Sequence, residues 1–161
     1  MYPAELVKPM REDLTSAGFV ELTDSNEVNS QVTNSETAVL IVNSVCGCAA
    51  ANARPGVKSS LLNEKKPVKL FTVFAGVDKE ATDAARKLMI PFPPSSPCIA
   101  IFKDGELVHM LERHHIEGRS AEIISDNLKQ AYNQYCWSEI GNVILKLVPM
   151  LILDSKSILP S

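Results

Sequence analysis

Apolar residues recur along this chain with two different spacings, and the elements follow from them. Pro3 to Ala17 places Leu6, Val7, Met10, Leu14 and Ala17 on one helical stripe. Pro3 suits a first helical turn, Pro9 is expected to kink or restart the helix, and Gly18 suits its C-terminal cap. Phe19 to Leu22 reads as a short strand. Asp24 and Glu27 have capping-box spacing ahead of a polar helix with Val28 and Val32 on one side. Asn34 to Thr37 reads as a turn. The unbroken apolar run Val39 to Val42 then has the pattern of a strand buried on both faces.

The alanines after Cys48 favour a helix, expected to reach about Leu62 with a kink near Pro55. Asn63 to Pro67 is a charged loop, and Val68 to Ala75, rich in β-branched and aromatic residues, is a second buried strand. Asp78 opens a helix through Ala81, Ala84, Ala85, Leu88 and Met89. Pro91 to Pro97 holds too many prolines for regular structure. Cys98 to Phe102 is a strand, Lys103 to Glu106 a tight hairpin turn, and Leu107 to Leu111 the returning strand. His114 to Gly118 reads as a loop. Ser120 opens a last helix with Ile123, Ile124, Leu128, Ala131 and Tyr135 on one face. The chain shows no internal repeat and no low-complexity tract.

Composition narrows the functional classes. With 161 residues, 45% of them hydrophobic and 22% charged, the chain fits one globular domain with a core of its own. A net charge of −3 argues against a nucleic-acid partner, which needs a basic face. The opening residues Met1 to Glu5 lack the basic and apolar regions of a signal peptide. The four cysteines, Cys46, Cys48, Cys98 and Cys136, are then not expected to form a structural disulfide framework, and the expected compartment is the reducing cytosol.

Cys46 and Cys48 lie where the central strand gives way to a helix, separated only by Gly47. The first turn of a helix presents unpaired N–H groups and the positive end of its dipole, which favour a thiolate. Such sites lower a thiol from about 8.5 to roughly 3.5–7.5. Two readings compete, small core residues or an exchangeable dithiol. Core filler has no need of a glycine between two cysteines at this turn, so the dithiol is the stronger reading. A disulfide closed across one residue makes a small ring, for which Gly47 offers the freest backbone; strained rings are the more oxidising ones.

Several motifs then resemble the bacilliredoxins: Leu6-Val-Lys-Pro-Met-Arg, Val42-Asn-Ser-Val-Cys-Gly-Cys-Ala-Ala, Thr72-Val-Phe-Ala-Gly, Pro94-Ser-Ser-Pro and Arg113-His-His-Ile-Glu-Gly. These are cytosolic thiol–disulfide oxidoreductases of bacteria that make the small thiol bacillithiol. The resemblance covers 1–136 and implies a thioredoxin-like α/β fold, a central mixed sheet with helices on both faces. It implies that Cys46 attacks mixed disulfides between client proteins and bacillithiol, with Cys48 as resolving thiol. Bacillithiol is then a co-substrate, and no bound cofactor or metal is expected. The thioredoxin arrangement would bring Cys46, Pro97 and the His114–Gly118 loop to one sheet edge, with Ser96–Pro97 as a cis peptide.

Other residues stay open at this stage. His114 and His115 are either tuning groups for the thiols or solvated loop residues. Cys98 points to the core more than to the dithiol, and Cys136 reads as a bystander. Two further functions compete with the oxidoreductase: a general disulfide isomerase on the same cysteines, and a metal-binding or thiol-sensing module combining Cys46, Cys48 and one His. The segment 137–161 departs from the family pattern as a tail of unassigned role. Its apolar run Val143 to Leu153, broken by Lys146 and Pro149, is too short to span a bilayer, which takes about 20 residues.

Overall fold

A computed structural model of the chain describes residues 2–137. Apart from Trp137, the tail at 137–161 and its apolar run lie outside the described residues. Five strands form one sheet in the order β1-β3-β2-β4-β5: β1 Val20–Glu21, β2 Thr37–Asn43, β3 Lys69–Phe74, β4 Cys98–Lys103 and β5 Glu106–Leu111. β3 runs parallel to both β1 and β2, whereas β4 runs antiparallel to both β2 and β5. The sheet is therefore mixed, and β2 lies at its centre.

Every residue of β2 is buried, because both faces of the sheet are covered. Alternate side chains of β2 feed two cores. Ala38, Leu40 and Val42 pack with α2 (Ser25–Thr33) and α4 (Lys79–Leu88). Val39 and Ile41 pack on the other face with α1 (Ala4–Thr15), α3 (Arg54–Ser60) and α6 (Ala121–Tyr135). Strand period two explains why a continuous apolar run is needed here.

Local signals hold at several boundaries. Asp24 accepts the Glu27 N–H at 2.9 Å and Ser120 accepts the Ile123 N–H at 3.1 Å, capping α2 and α6. Asp104 and Gly105 both have positive φ, the backbone of a tight hairpin turn, and a Cβ on Gly105 would meet the Thr33 carbonyl at 2.8 Å.

Other expectations are corrected. α1 runs through Pro9 without a break, held on either side by the buried Val7 and Leu14. Thr37 begins β2 instead of ending a turn. Near Pro55 the helix carries a π turn at Ala49–Ala53, after which α3 starts with Pro55 in its first turn, where a missing N–H costs little. The expected loop at His114 forms a one-turn helix, α5 (Arg113–Ile116), anchored by the fully buried Ile116. On α6 Ile123 faces solvent, and the buried face includes Tyr132, whose hydroxyl lies 2.9 Å from Ser60 Oγ.

Candidate functional site

The dithiol sits directly beyond the C-terminal end of β2. After Asn43 the chain turns through Ser44, and the Cys46 carbonyl accepts the first helical hydrogen bonds, from Ala49 N–H at 3.1 Å and Ala50 N–H at 3.3 Å. Cys46 and Cys48 are half-buried free thiols with their sulfurs 2.7 Å apart. Ser44 Oγ lies 3.2 Å from Cys46 Sγ and also accepts the Cys46 N–H at 3.3 Å.

These contacts divide the two thiols. Burial raises the Cys46 thiol, but hydrogen bonds from the Cys48 and Ser44 side chains and from the Ala49 and Cys48 N–H groups outweigh it, so the net shift is downward. Cys48 moves the other way. Burial comes first, then its hydrogen bond to Cys46 and the Cys46 charge, with Arg113 acting against them. The arrangement favours ionisation of Cys46 ahead of Cys48, with the Cys48 thiol donating to the Cys46 sulfur.

A buried polar network supports this turn from behind. The Arg54 guanidinium, 5% exposed, donates from Nη1 to Asn43 Oδ1 at 2.9 Å and to the Ser44 carbonyl at 3.2 Å. Its Nε donates to Asp13 at 3.0 Å, and Asn43 Nδ2 donates to the Met10 carbonyl at 3.1 Å. α1, α3 and the end of β2 are thereby tied to the residues that carry Cys46. Asp13, Asn43, Ser44 and Arg54 were not singled out from the sequence, because each is an ordinary polar residue until the fold joins them.

The sheet register brings the remaining pieces to the same edge. Val42 pairs with Cys98, and Ile99 pairs with Leu111, so the end of β2, the start of β4 and the end of β5 are neighbours. Pro97, buried, follows Ser96 through a cis peptide; Ile90–Pro91 is also cis. Arg113, not a histidine, reaches across this edge. It donates from its backbone N–H to Ser95 Oγ at 3.4 Å, from Nη1 to the Ser96 carbonyl at 3.2 Å, and from Nε to Glu117 at 3.2 Å. The motif Arg113-His-His-Ile-Glu-Gly contained it, but sequence reasoning chose the more readily titrated neighbours.

His114 and His115 make their contacts elsewhere. His115 Nδ1 accepts the Glu112 N–H at 3.0 Å as part of the α5 cap, and exposed His114 lies 3.8 Å from Glu112. Among the described residues, no hydrogen bond or ion pair joins either ring to a thiol. The ligand atoms of Glu112, His114 and His115 lie within 4.8 Å of one another, a metal-capable group that does not include Cys46 or Cys48. Cys98 is buried with its sulfur 3.8 Å from Met89 Sδ, and burial pushes its thiol up to about 12. Burial likewise pushes Cys136 up to about 11.

Known proteins resemble the chain over the whole described region. A family model described as disulphide isomerase matches residues 2–136. A bacilliredoxin from Cytophaga hutchinsonii is 56% identical over 134 residues, 83% of this chain and 99% of its own. A bacilliredoxin from Halalkalibacterium halodurans is 47% identical over 136 residues, 84% of this chain and 94% of its own. Among solved structures, the oxidised mitochondrial thioredoxin 3 of Saccharomyces cerevisiae superposes with a TM-score of 0.52 at 17% identity, covering 76% of this chain and 98% of its own. That likeness shows a thioredoxin fold. Among the described residues no helix is long and apolar enough to cross a membrane.

Proposed function

The chain belongs to the bacilliredoxin family and is a thiol–disulfide oxidoreductase, and from that premise we propose that it removes bacillithiol from mixed disulfides on client proteins. Cys46 is the nucleophile. Its thiolate attacks the bacillithiol sulfur, the client sulfur leaves as a thiolate, and Cys46 is left carrying bacillithiol. The observation that supports these roles is the opposite displacement of two thiols only 2.7 Å apart.

Resolution follows from the same asymmetry. Cys48 is held protonated partly by the Cys46 charge. Once Cys46 is in a mixed disulfide that charge is gone, and Cys48 becomes easier to ionise. It then attacks Cys46 Sγ and expels bacillithiol; free bacillithiol clearing Cys46 directly is the other exit. Bacillithiol is a co-substrate, no bound cofactor takes part, and the place of work is the cytosol, where thiols are kept reduced. Cys48→Ala is expected to strip a bacillithiolated client and accumulate as the mixed disulfide, whereas Cys46→Ala does nothing. Intact-mass analysis reads both, and stripping by Cys46→Ala at the native rate would reverse the assignment.

The description of the matched family model favours a second reading, isomerisation of wrongly paired disulfides by the same cysteines. Recovery of a scrambled client, measured beside bacillithiol release, separates the two. Recovery without release supports the isomerase.

A further inference from the structure

Beside Cys46 lies a cavity of about 280 Å³ whose lining includes Ser44, Ser96, Arg86 and Arg113 and no acidic side chain. Two arginines thus line one small space next to the nucleophile, in a chain whose net charge is −3. Their bonding is incomplete. Arg86 projects from the last turn of α4, and its Nε is buried without a hydrogen-bond partner among the described residues. No ion pair joins Arg86 to a described carboxylate. Arg113 uses Nε for Glu117 and Nη1 for the Ser96 carbonyl, and its Nη2 makes no hydrogen bond among the described residues. An arginine that lines a cavity without a carboxylate partner of its own is free to pair with an anion there, and the ligand that matches its planar fork is a carboxylate.

We infer that this cavity is a subsite for a carboxylate carried by the small thiol, received between Arg86 and Arg113. The inference rests on the thiol-transfer reading above and adds the chemical class of the transferred group. In the transfer the Cys46 thiolate attacks the small-thiol sulfur, and the bond from that sulfur to the client breaks. The client sulfur departs with the electron pair and takes a proton from water. One disulfide replaces another, and the small thiol remains tethered to Cys46, one bond from the cavity. The client leaves at this step, so the group that stays is the one the cavity can hold. Its volume is near the lower end for small-molecule sites, about 300–1,000 Å³, and too small for a folded partner.

The test uses the full reduced chain and three peptides, each with one cysteine. Two have neutral flanks and carry 3-mercaptopropionate or 2-mercaptoethanol in disulfide linkage. The third has glutamates beside the cysteine and carries 2-mercaptoethanol. Rates of peptide-thiol release are divided by those with dithiothreitol, which removes intrinsic differences in reactivity. The mercaptopropionate peptide is expected to react about tenfold faster than its neutral counterpart, the scale of one hydrogen bond to a charged group. Arg86→Gln and Arg113→Gln should each shrink that ratio, and Arg86→Lys, which keeps charge without the fork, should restore part of it. A general loss of structure or of thiolate slows both peptides and leaves the ratio unchanged. A ratio of one in the unmodified protein, or a ratio preserved in both Gln variants, would overturn the subsite. Preference for the glutamate-flanked peptide would overturn it too, by assigning the cavity to the client. No release from any peptide would overturn the transfer reading itself, and the subsite with it.

Discussion

At Cys46 burial and hydrogen bonding act on the thiolate in opposite directions, and hydrogen bonding prevails. Four donors around one sulfur, two of them backbone N–H groups in the first helical turn, stabilise charge that a half-buried site would otherwise disfavour. Alkylation rate against pH is therefore expected to show a Cys46 titration below the ordinary thiol value and a Cys48 titration above it. Since the Cys46 value is depressed, its reactivity is present above that pH and is lost as pH falls through it. Equal titrations in Cys46→Ser and Cys48→Ser would remove this account. A Cys46–Cys48 disulfide would close a small ring across Gly47, and strained rings are the more oxidising, so its potential is expected above thioredoxin's, about −270 mV, by equilibration in a glutathione buffer. Gly47 needs no positive φ in this dithiol form, and a Cβ there would meet no atom within 4 Å. Gly47→Ala should accordingly change the stability of the reduced protein by no more than about 0.5 kcal/mol in urea unfolding.

At the scale of elements, α3 and α6 pack where Gly56 meets Ile124. A Cβ on Gly56 would lie 2.7 Å from Ile124 Cγ2 and 3.2 Å from the Ala121 carbonyl, so the helices are as close as a bare backbone allows. Ala favours a helix more than Gly, by about 1 kcal/mol, but overpacking costs about 1–3 kcal/mol. Gly56→Ala is expected to destabilise on balance, and Ile124→Ala in the same chain should recover part of the loss. Additive effects in that double-mutant cycle would show that the contact is not the cause. Ala49–Ala53, directly after the dithiol, is a π turn, a local widening for which alanine propensity gives no warning. The α5 turn was equally hidden: four residues carry no readable period, and Ile116 had to find its place in the core first.

Across the whole molecule, the Asp13–Arg54–Asn43 network couples α1 and α3 to the end of the central strand. Arg54→Met strands the Ser44 carbonyl and leaves Asn43 Oδ1 with only the Ser44 N–H, and is expected to cost about 3 kcal/mol or less, since Asp13 is a third exposed and keeps Lys58. Burial raises the Asp13 carboxyl, but hydrogen bonds from Lys58 and Arg54 hold it below its usual value. A depressed carboxylate contributes stability above its unfolded value, about 3.9, that disappears as pH falls through the folded one. The stability gap between the parent and Arg54→Met should therefore be full above about pH 4 and narrow below it; a gap that stays constant in acid would deny Asp13 its part. The elements and the dithiol were legible in the sequence because periodicity, caps and a Cys-Gly-Cys turn are local signals. The run Val39 to Val42 marked the central strand, and the family motifs placed Cys46 at its end. The surroundings of the dithiol were not legible. Arg54 braces the turn that carries Cys46, while Arg86 and Arg113 line the cavity beside it; the three come from separate helices, and only the strand order and register bring them to one end of β2. A sequence specifies neighbours a few residues apart, such as the Ser44, Cys48 and Ala49 donors at Cys46, whereas the cavity beside that sulfur is lined by Arg86 and Arg113, tens of residues away, which folding alone brings within reach.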